Sequence, residues 1–299
     1  MTDLVDRLVE MARARLQKLH HPTLEKAGVH VDVLRLDLIH PIISGNKYFK
    51  LKYTLKAAVD KGYRGIVTMG GPWSNHLVAC AEACRLLGLQ SIGIIRGERP
   101  VNKSLSLDDL EQMGMELRFM SRAQFAAVNA SPNELSDHLF IPMGGYFNDG
   151  IRGASEIIDL IPTHQYEFIT CAVGTSATMT GLLKSSPLPV YGFSALKISD
   201  PDNNELKLSL DKAGSADYKL FYDYHFGGFG KAPVTLTTFM RDFYEHTQIP
   251  TDIVYTSKMF YGLLDLVNKK VIAPGTRICA IHSGGLQGNR SVKTGLLPF

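Results

Sequence analysis

Residues 44–53 read Ser-Gly-Asn-Lys-Tyr-Phe-Lys-Leu-Lys-Tyr and connect a predicted strand to a predicted helix. The apolar run 30–39 before them is typical of a strand, and the run 48–61 after them is typical of a helix. We predict that Asn46 is the N-cap. Lys47 then lies in the first turn, where the helix dipole disfavours an ammonium group. Burial would lower its pKa further, and an imine-forming lysine requires a low pKa. The alternative is a solvated lysine beside a turn.

Composition narrows the class of protein. The chain has 299 residues, of which 45% are hydrophobic and 20% charged, as expected for a globular protein with one or two domains. The formal net charge of +3 is too small to indicate binding to nucleic acid or to an anionic membrane. No apolar run approaches the ~18 residues of a membrane span. Cys80, Cys84, Cys171 and Cys279 lie in apolar contexts, which favours a reduced, cytoplasmic protein.

Strand and helix patterns alternate along the chain, which indicates βαβ units and an α/β fold with open, twisted, mostly parallel sheets and helices on both faces. We expect two domains, a larger one of residues 1–47 and 150–299 and a smaller inserted one of residues 48–149. The predicted strands are 30–39, 65–69, 91–95, 117–120, 140–142, 168–173, 190–196, 218–224, 253–255 and 277–282. The predicted helices are 1–19, 48–61, 75–87, 105–113, 153–161, 235–247 and 256–268. Charged and apolar residues alternate at helical spacing in the first predicted helix, which is not the pattern of a signal peptide.

Two loops after predicted strands have the chemistry of anion sites, and ligands of open α/β sheets bind at such strand ends. The first comprises Gly174, Thr175, Ser176, Ala177 and Thr178, and its backbone N–H groups and hydroxyls at a helix start suit a phosphate. It matches neither a Walker A loop nor a dinucleotide loop. An ordinary strand–helix turn is the alternative.

The second loop is Ser74-Asn75-His76, which opens a predicted helix and is sized for a carboxylate. The alternative is that Ser74 and Asn75 are plain N-caps. His76, Cys80 and Cys84 share a helix face, but two helical turns separate them, so we expect core cysteines and no metal.

Together these features resemble the pyridoxal-phosphate (PLP) enzymes of the tryptophan synthase β fold, also called fold type II. The more specific resemblance is to the 1-aminocyclopropane-1-carboxylate deaminase and D-cysteine desulfhydrase group, and it covers about residues 37–288. It rests on Ser-Gly-Asn-Lys with a second lysine three residues later, on the Gly-Gly-x-x-Ser-Asn loop, and on Val-Tyr-x-x-Lys-x-x-x-Gly at 254–262.

The resemblance implies a role for each site residue. Lys47 would form the imine with PLP, and the loop 174–178 would hold the phosphate. Asn75 would bond the phenolic oxygen of PLP, and Ser283 would accept a hydrogen bond from its pyridine nitrogen. Ser74, Asn75 and His76 would bind the substrate carboxylate, with Ser74 near the reacting carbon. Tyr255 would act in acid–base chemistry or steer the substrate. A homodimer is expected through the family alone.

Three departures bear on the reaction. The deaminases have glutamate at the position of Thr256 and leucine at the position of Ser283. Both positions carry hydroxyl residues here, which resembles the desulfhydrases. A second active-site tyrosine is replaced by Phe229, which would contact the substrate without transferring a proton. We therefore expect β-elimination from a small amino acid, giving pyruvate, ammonia and a thiol. The alternatives are deamination of 1-aminocyclopropane-1-carboxylate to 2-oxobutanoate, or a member that binds PLP without turnover.

Overall fold

The computed structural model describes residues 4–130, 137–202, 204–214 and 216–299. Its strands are β1 Leu16–Lys18, β2 His30–Arg35, β3 Gly65–Gly70, β4 Gln90–Arg96, β5 Glu116–Met120, β6 His138–Ile141, β7 Phe168–Val173, β8 Val190–Ser194, β9 Tyr218–Phe221 and β10 Arg277–His282. Its helices are α1 Pro22–Ala27, α2 Asn46–Asp60, α3 Asn75–Leu87, α4 Leu105–Gln112, α5 Arg122–Ala130, α6 Asn148–Ser155, α7 Ala177–Ser185, α8 Glu205–Asp211, α9 Val234–Thr247 and α10 Thr256–Asn268. The predicted α/β class is confirmed.

The larger sheet has the strand order β1-β2-β10-β7-β8-β9. All its neighbours pair in parallel except β1, which pairs antiparallel with β2 at the edge. Every residue of β7 is buried, as expected for a parallel strand covered on both faces. The last strand of the chain, β10, therefore lies inside the sheet between an early strand and a middle one.

The smaller sheet has the order β5-β4-β3-β6 and is parallel throughout. Its strand β3 is buried along its whole length. Helix α2 connects the two sheets and packs on α6, which packs in turn on α7. The approach of α6 to α2 requires a glycine, because a Cβ at Gly153 would overlap the carbonyl of Phe49. The domain boundaries given above stay a proposal.

Three local predictions are wrong. The helix expected over residues 1–19 is absent from residue 4 onward, where two 3-10 turns precede β1, and residues 1–3 lie outside the described residues. The helix expected at 153–161 begins earlier, as α6 at Asn148, and continues after Ser155 as a 3-10 helix over Glu156–Leu160. The strand expected at 253–255 is a turn that leads into α10. Within the described ranges, no helix is long and apolar enough to cross a bilayer.

Candidate active site

The loop before Lys47 packs backbone to backbone against the turn after β10. Gly45 has φ of 66°, and a Cβ there would overlap the carbonyl of Ser283. The backbone N–H of Asn46 donates to that carbonyl at 3.3 Å. A Cβ at Gly284 would likewise overlap the hydroxyl of Ser44. Two glycine turns from opposite ends of the chain therefore fix where α2 begins.

Lys47 is buried in the first turn of α2, as predicted, with 8% of its surface exposed. The predicted N-cap is wrong: Gly45 occupies that position and Asn46 is the first helical residue. The Asn46 side chain instead accepts from Lys47 Nζ at 2.7 Å and donates to Thr178 Oγ1 at 2.8 Å. Burial lowers the pKa of Lys47 to about 8, a shift that the carboxylate of Asp252 partly opposes. The result is a buried amine that is partly neutral near pH 7.

The loop 174–178 lies beside this lysine at the start of α7. Ser176 has φ of 63°, and, within the described part of the chain, no side chain caps the helix. The N–H groups of the first turn are then left to bind an anion. Ser176 Oγ donates to the carbonyl of Thr175 at 2.6 Å, and Thr175 Oγ1 donates to that of Gly144 at 3.5 Å. Thr178 Oγ1 accepts from Asn46, which does not use its own O–H. The backbone N–H groups and the Thr178 hydroxyl are therefore the donors that this loop offers to an anion.

Lys50 is a second buried ammonium that sequence reasoning left without a role. Its Nζ donates to the carbonyl of Gly144 at 3.1 Å, and a Cβ at Gly144 would lie 2.6 Å from the side chain of Thr175. Burial, and next the charge of Lys47, lower the pKa of Lys50 to about 7. The spacing of three residues between the two lysines was the available signal, because such side chains share a helix face. Lys50 therefore places an amine that is about half protonated at pH 7 next to Gly144, which lies against Thr175 of the loop.

Ser74-Asn75-His76 begins α3. Ser74 is the N-cap, with Oγ accepting from the N–H of Leu77 at 3.3 Å, so the plain capping interpretation holds for this hydroxyl. Asn75 Nδ2 donates to the carbonyl of Gly285 at 3.1 Å, next to the turn after β10. Asn75 Oδ1 is buried with no hydrogen-bond partner among the described residues. An orphaned acceptor at this point is a place for a ligand donor.

The contacts of His76 define its tautomer. The hydroxyl of Thr68 donates to the carbonyl of Ile141 at 2.9 Å, so its oxygen accepts from Nε2–H of His76, also at 2.9 Å. Nδ1 is then unprotonated, and it is buried without a partner in the described ranges. Burial first, and then Lys50 and Lys47, lower the pKa of His76 to about 3. His76 is thus a neutral acceptor.

Tyr255 forms one wall of the site. Its ring centroid lies 5.8 Å from Lys47 Nζ, and a Cβ at Gly174 would lie 2.9 Å from its Cε1. Burial raises the pKa of its hydroxyl, followed by the charge of Asp252. The ring of Phe229 packs edge-on against Tyr255, with centroids 5.8 Å apart, and 55% of its surface is exposed. The two aromatic residues therefore lie side by side, as the resemblance implies.

Asp252 holds the turn that positions Tyr255, and sequence reasoning missed it. Its carboxylate accepts from the N–H groups of Val254, Tyr255 and Thr256 at 2.8–2.9 Å. The hydroxyl of Thr256 donates to the same carboxylate at 2.7 Å and accepts from the Asp252 N–H at 2.8 Å. An aspartate just before a predicted helix is the signal that could have found it.

Lys258 is the lysine of the Val-Tyr-x-x-Lys-x-x-x-Gly motif, but sequence reasoning gave it no role. It is 1% exposed, and its Nζ donates to the carbonyl of Gly228 at 2.8 Å. Burial lowers its pKa to about 8, against the opposing effect of Asp252. Gly228 immediately precedes Phe229, so this buried ammonium positions the loop that carries the phenylalanine. Ser283 lies at the end of β10 and is 4% exposed.

The assembled residues fit PLP. A buried amine with a pKa of about 8 suits imine formation, and the uncapped helix with Lys50 suits a phosphate. The orphaned Asn75 Oδ1 and His76 Nδ1 leave polar atoms for a polar ligand. The pair of parallel sheets and the lysine at the start of α2 place the protein in the class of PLP enzymes with the tryptophan synthase β fold.

Comparisons with known proteins show which family of this class the chain resembles. The "Putative 1-aminocyclopropane-1-carboxylate deaminase" of Pyrococcus abyssi is 30% identical over 287 residues, 87% of this chain and 86% of its own. The "Bifunctional D-cysteine desulfhydrase/1-aminocyclopropane-1-carboxylate deaminase, mitochondrial" of Arabidopsis thaliana is 28% identical over 298 residues, 87% and 73% of the two chains. A solved "ACC deaminase homologue" has a TM-score of 0.78 at 27% identity, covering 97% of both chains. No protein-family model matches.

The chain belongs to the PLP-dependent family of 1-aminocyclopropane-1-carboxylate deaminases and D-cysteine desulfhydrases. It is an enzyme of the deaminase and lyase type.

Proposed function

We propose that the chain catalyses β-elimination from a small amino acid, of the D-cysteine desulfhydrase type. The observation that carries this proposal is the wall beside Lys47, where Tyr255 is paired with the non-ionisable ring of Phe229. β-Elimination needs one base at the α-carbon and a leaving group that departs as a stable anion. A thiolate is such a leaving group, so a second proton-transferring side chain is not required.

PLP would be held by residues from both sheets. Lys47 would bind it covalently, the first-turn N–H groups of α7 and Lys50 would hold its phosphate, and Asn75 and Ser283 would contact its ring substituents. When bound, PLP withdraws electrons from the substrate α-carbon and makes its proton acidic. All further steps depend on side chains of the chain itself.

Lys47 is the base that we propose for the α-proton. Asn46 and the Tyr255 ring hold its amine, and its low pKa leaves about a tenth of it neutral at pH 7. Loss of the α-proton and cleavage of the Cβ–S bond convert cysteine and water to pyruvate, ammonia and hydrogen sulfide. The high pKa of Tyr255 keeps its hydroxyl protonated, so it would donate a hydrogen bond and steer the substrate.

The substrate carboxylate would bind at the start of α3, where the backbone N–H groups of the first turn and the helix dipole favour an anion. The ring of His76 does not suit this role, because its Nδ1 is an acceptor and its Nε2–H is donated to Thr68. We therefore assign the carboxylate to the backbone of residues 74–76 and leave the ring Nδ1 of His76 to a hydrogen-bond donor.

The second candidate is deamination of 1-aminocyclopropane-1-carboxylate, which the name of the Pyrococcus abyssi relative favours. Opening a cyclopropane requires protonation at carbon, and a positioned acid typically contributes ~10²–10⁴-fold. Phe229 cannot supply that proton. Both hydrogen bonds of the Thr256 hydroxyl go to Asp252, so Thr256 does not replace the family glutamate. These residues disfavour the deaminase.

The test is a product assay on PLP-loaded protein with D-cysteine, L-cysteine, β-chloro-D-alanine and 1-aminocyclopropane-1-carboxylate. We expect pyruvate from at least one β-substituted amino acid and negligible 2-oxobutanoate. Release of 2-oxobutanoate at about 1 per second or faster would refute the assignment. Visible absorbance of bound PLP without turnover of any substrate would instead indicate a member that has lost catalysis.

A further inference from the structure

We propose that His21, Asp242 and His246 form a binding site for a divalent transition-metal ion such as Zn²⁺ on the outer layer of the larger sheet. One ligand atom from each residue lies within 4.8 Å of the other two. Two imidazoles and a carboxylate are a ligand set that Zn²⁺, Ni²⁺ and Cu²⁺ accept. The sequence predicts no metal, and no local spacing brings His21 together with Asp242 and His246, which lie one helical turn apart.

His21 is the fixed member of the cluster. It precedes α1 as its N-cap, and 8% of its surface is exposed. Its ring packs on Phe243 of α9, with centroids 6.1 Å apart. Its Nδ1 accepts from the N–H of Thr23 at 3.2 Å, whereas its Nε2 is buried and has no partner among the described residues. Because Nδ1 accepts, Nε2 carries the ring proton in this arrangement, and a buried N–H without a partner is costly. Moving that proton to Nδ1 turns Nε2 into a metal ligand.

His246 has its other nitrogen already engaged. It lies in the last turn of α9, and its Nδ1 is 2.8 Å from the carbonyl of Asp242. A backbone carbonyl accepts only, so Nδ1 carries the proton and Nε2 presents its lone pair. This arrangement is usual for histidines that bind metals. The negative end of the α9 dipole also favours a cation at this position.

The exposed ligands can close on the buried one. The side chains of His246 and Asp242 are 40% and 56% exposed, so the Asp242 carboxylate can rotate toward the two rings while His246 Nδ1 keeps its bond to the Asp242 carbonyl. Metal–ligand bonds of about 2.0–2.2 Å require ligand atoms somewhat closer together than the present spacing. Binding also requires the proton of His21 to move from Nε2 to Nδ1, which gives up the weak bond from Thr23. Three protein ligands leave one position for water.

The two imidazole rings are neighbours, with the centroids of His21 and His246 5.4 Å apart. A bound ion would connect the start of α1 to the last turn of α9.

The experiment is calorimetric titration of chelator-treated, PLP-loaded protein with ZnCl₂, with MgCl₂ as a comparison ion. We expect one Zn²⁺ per chain with micromolar affinity, a higher Tm with Zn²⁺, and neither effect with Mg²⁺. His246→Ala and Asp242→Asn should each weaken Zn²⁺ binding by about tenfold or more. His164→Ala is the matched control, because His164 is exposed and lies outside the cluster.

Co²⁺ gives a second measurement that does not depend on stability. Its visible absorption bands should appear in the parent and in His164→Ala, and should be lost in His246→Ala. The proposal is overturned if Zn²⁺ does not bind, or if His246→Ala and His164→Ala bind it as tightly as the parent does.

Discussion

Covalent capture of PLP by Lys47 should follow the low pKa that burial gives this amine. With a pKa of about 8, the neutral fraction of Lys47 is about a tenth at pH 7 and about nine tenths at pH 9. A lysine with the ordinary pKa of ~10.4 is about 0.04% neutral at pH 7 and about 4% at pH 9. Since only the neutral amine attacks an aldehyde, the capture rate should rise about tenfold over this interval for Lys47, against about a hundredfold for an ordinary lysine.

The assay mixes cofactor-free protein with PLP between pH 6.5 and 10, stops the reaction with borohydride at timed intervals, and quantifies the Lys47 peptide by mass spectrometry. We expect a half-maximal rate near pH 8 and a plateau above pH 9. Peptides with exposed lysines provide the internal comparison, and Lys47→Ala should show no modification at this position. A Lys47 rate that still rises tenfold per pH unit through pH 9 would refute the role of burial.

Three further changes test other parts of the site. Gly174→Asp should weaken PLP binding at least about tenfold by placing a carboxylate at the phosphate loop, whereas Leu208→Asp on an exposed helix should not; equal dissociation constants by absorbance titration would contradict this. Lys258→Met should raise KM about tenfold, because it releases the loop of Phe229. It should not lower Tm, because it removes a buried ammonium. An unchanged KM would mean that this loop does not contact the substrate. His76→Gln tests acid stability. Because the pKa of His76 is about 3 in the folded state, only the unfolded chain gains this proton as the pH falls below ~6.5. The free energy of unfolding therefore falls by about 2 kcal/mol by pH 5. The variant should lose that much less in chemical denaturation, and identical losses would show that His76 does not set the acid response.

Apolar sequence patterns correctly predicted the helices and strands whose ends are set by residues nearby in the chain. Helix α10 runs over residues 256–268 and β10 over residues 277–282, both as expected from their apolar patterns. The N-terminal pattern also matched a helix, but antiparallel pairing of β1 with β2 took its place, which is a tertiary effect. Helix α6 begins earlier than predicted, since Gly153 lies inside it, at the point of contact with α2.

The site residues also fall into two groups, those that the local sequence predicts and those whose roles depend on contacts in the folded chain. Lys47, Tyr255 and the two proposed anion loops were predicted from contiguous motifs, whereas Phe229 was predicted from its spacing to Tyr255 in the family that the chain resembles. The roles of Lys50, Asp252 and Lys258 depend on what their side chains contact in the folded chain, and no local pattern encodes the Gly144 and Gly228 carbonyls that the two lysines reach. The binding and catalytic roles proposed for the site residues, Ser74 and Ser283 included, and the expected homodimer stay predictions.

The position of β10 has a consequence for biosynthesis. The smaller sheet is complete once residue 141 has been synthesised, whereas the larger sheet lacks its inner strand until residue 282. Until then β2 and β7 expose unpaired edges, which favour aggregation. The turn that fixes Gly45 is also absent, so Lys47 has no defined site. We therefore expect nascent chains that stop before residue 277 to be insoluble and unable to retain PLP, which makes cofactor acquisition a post-translational event.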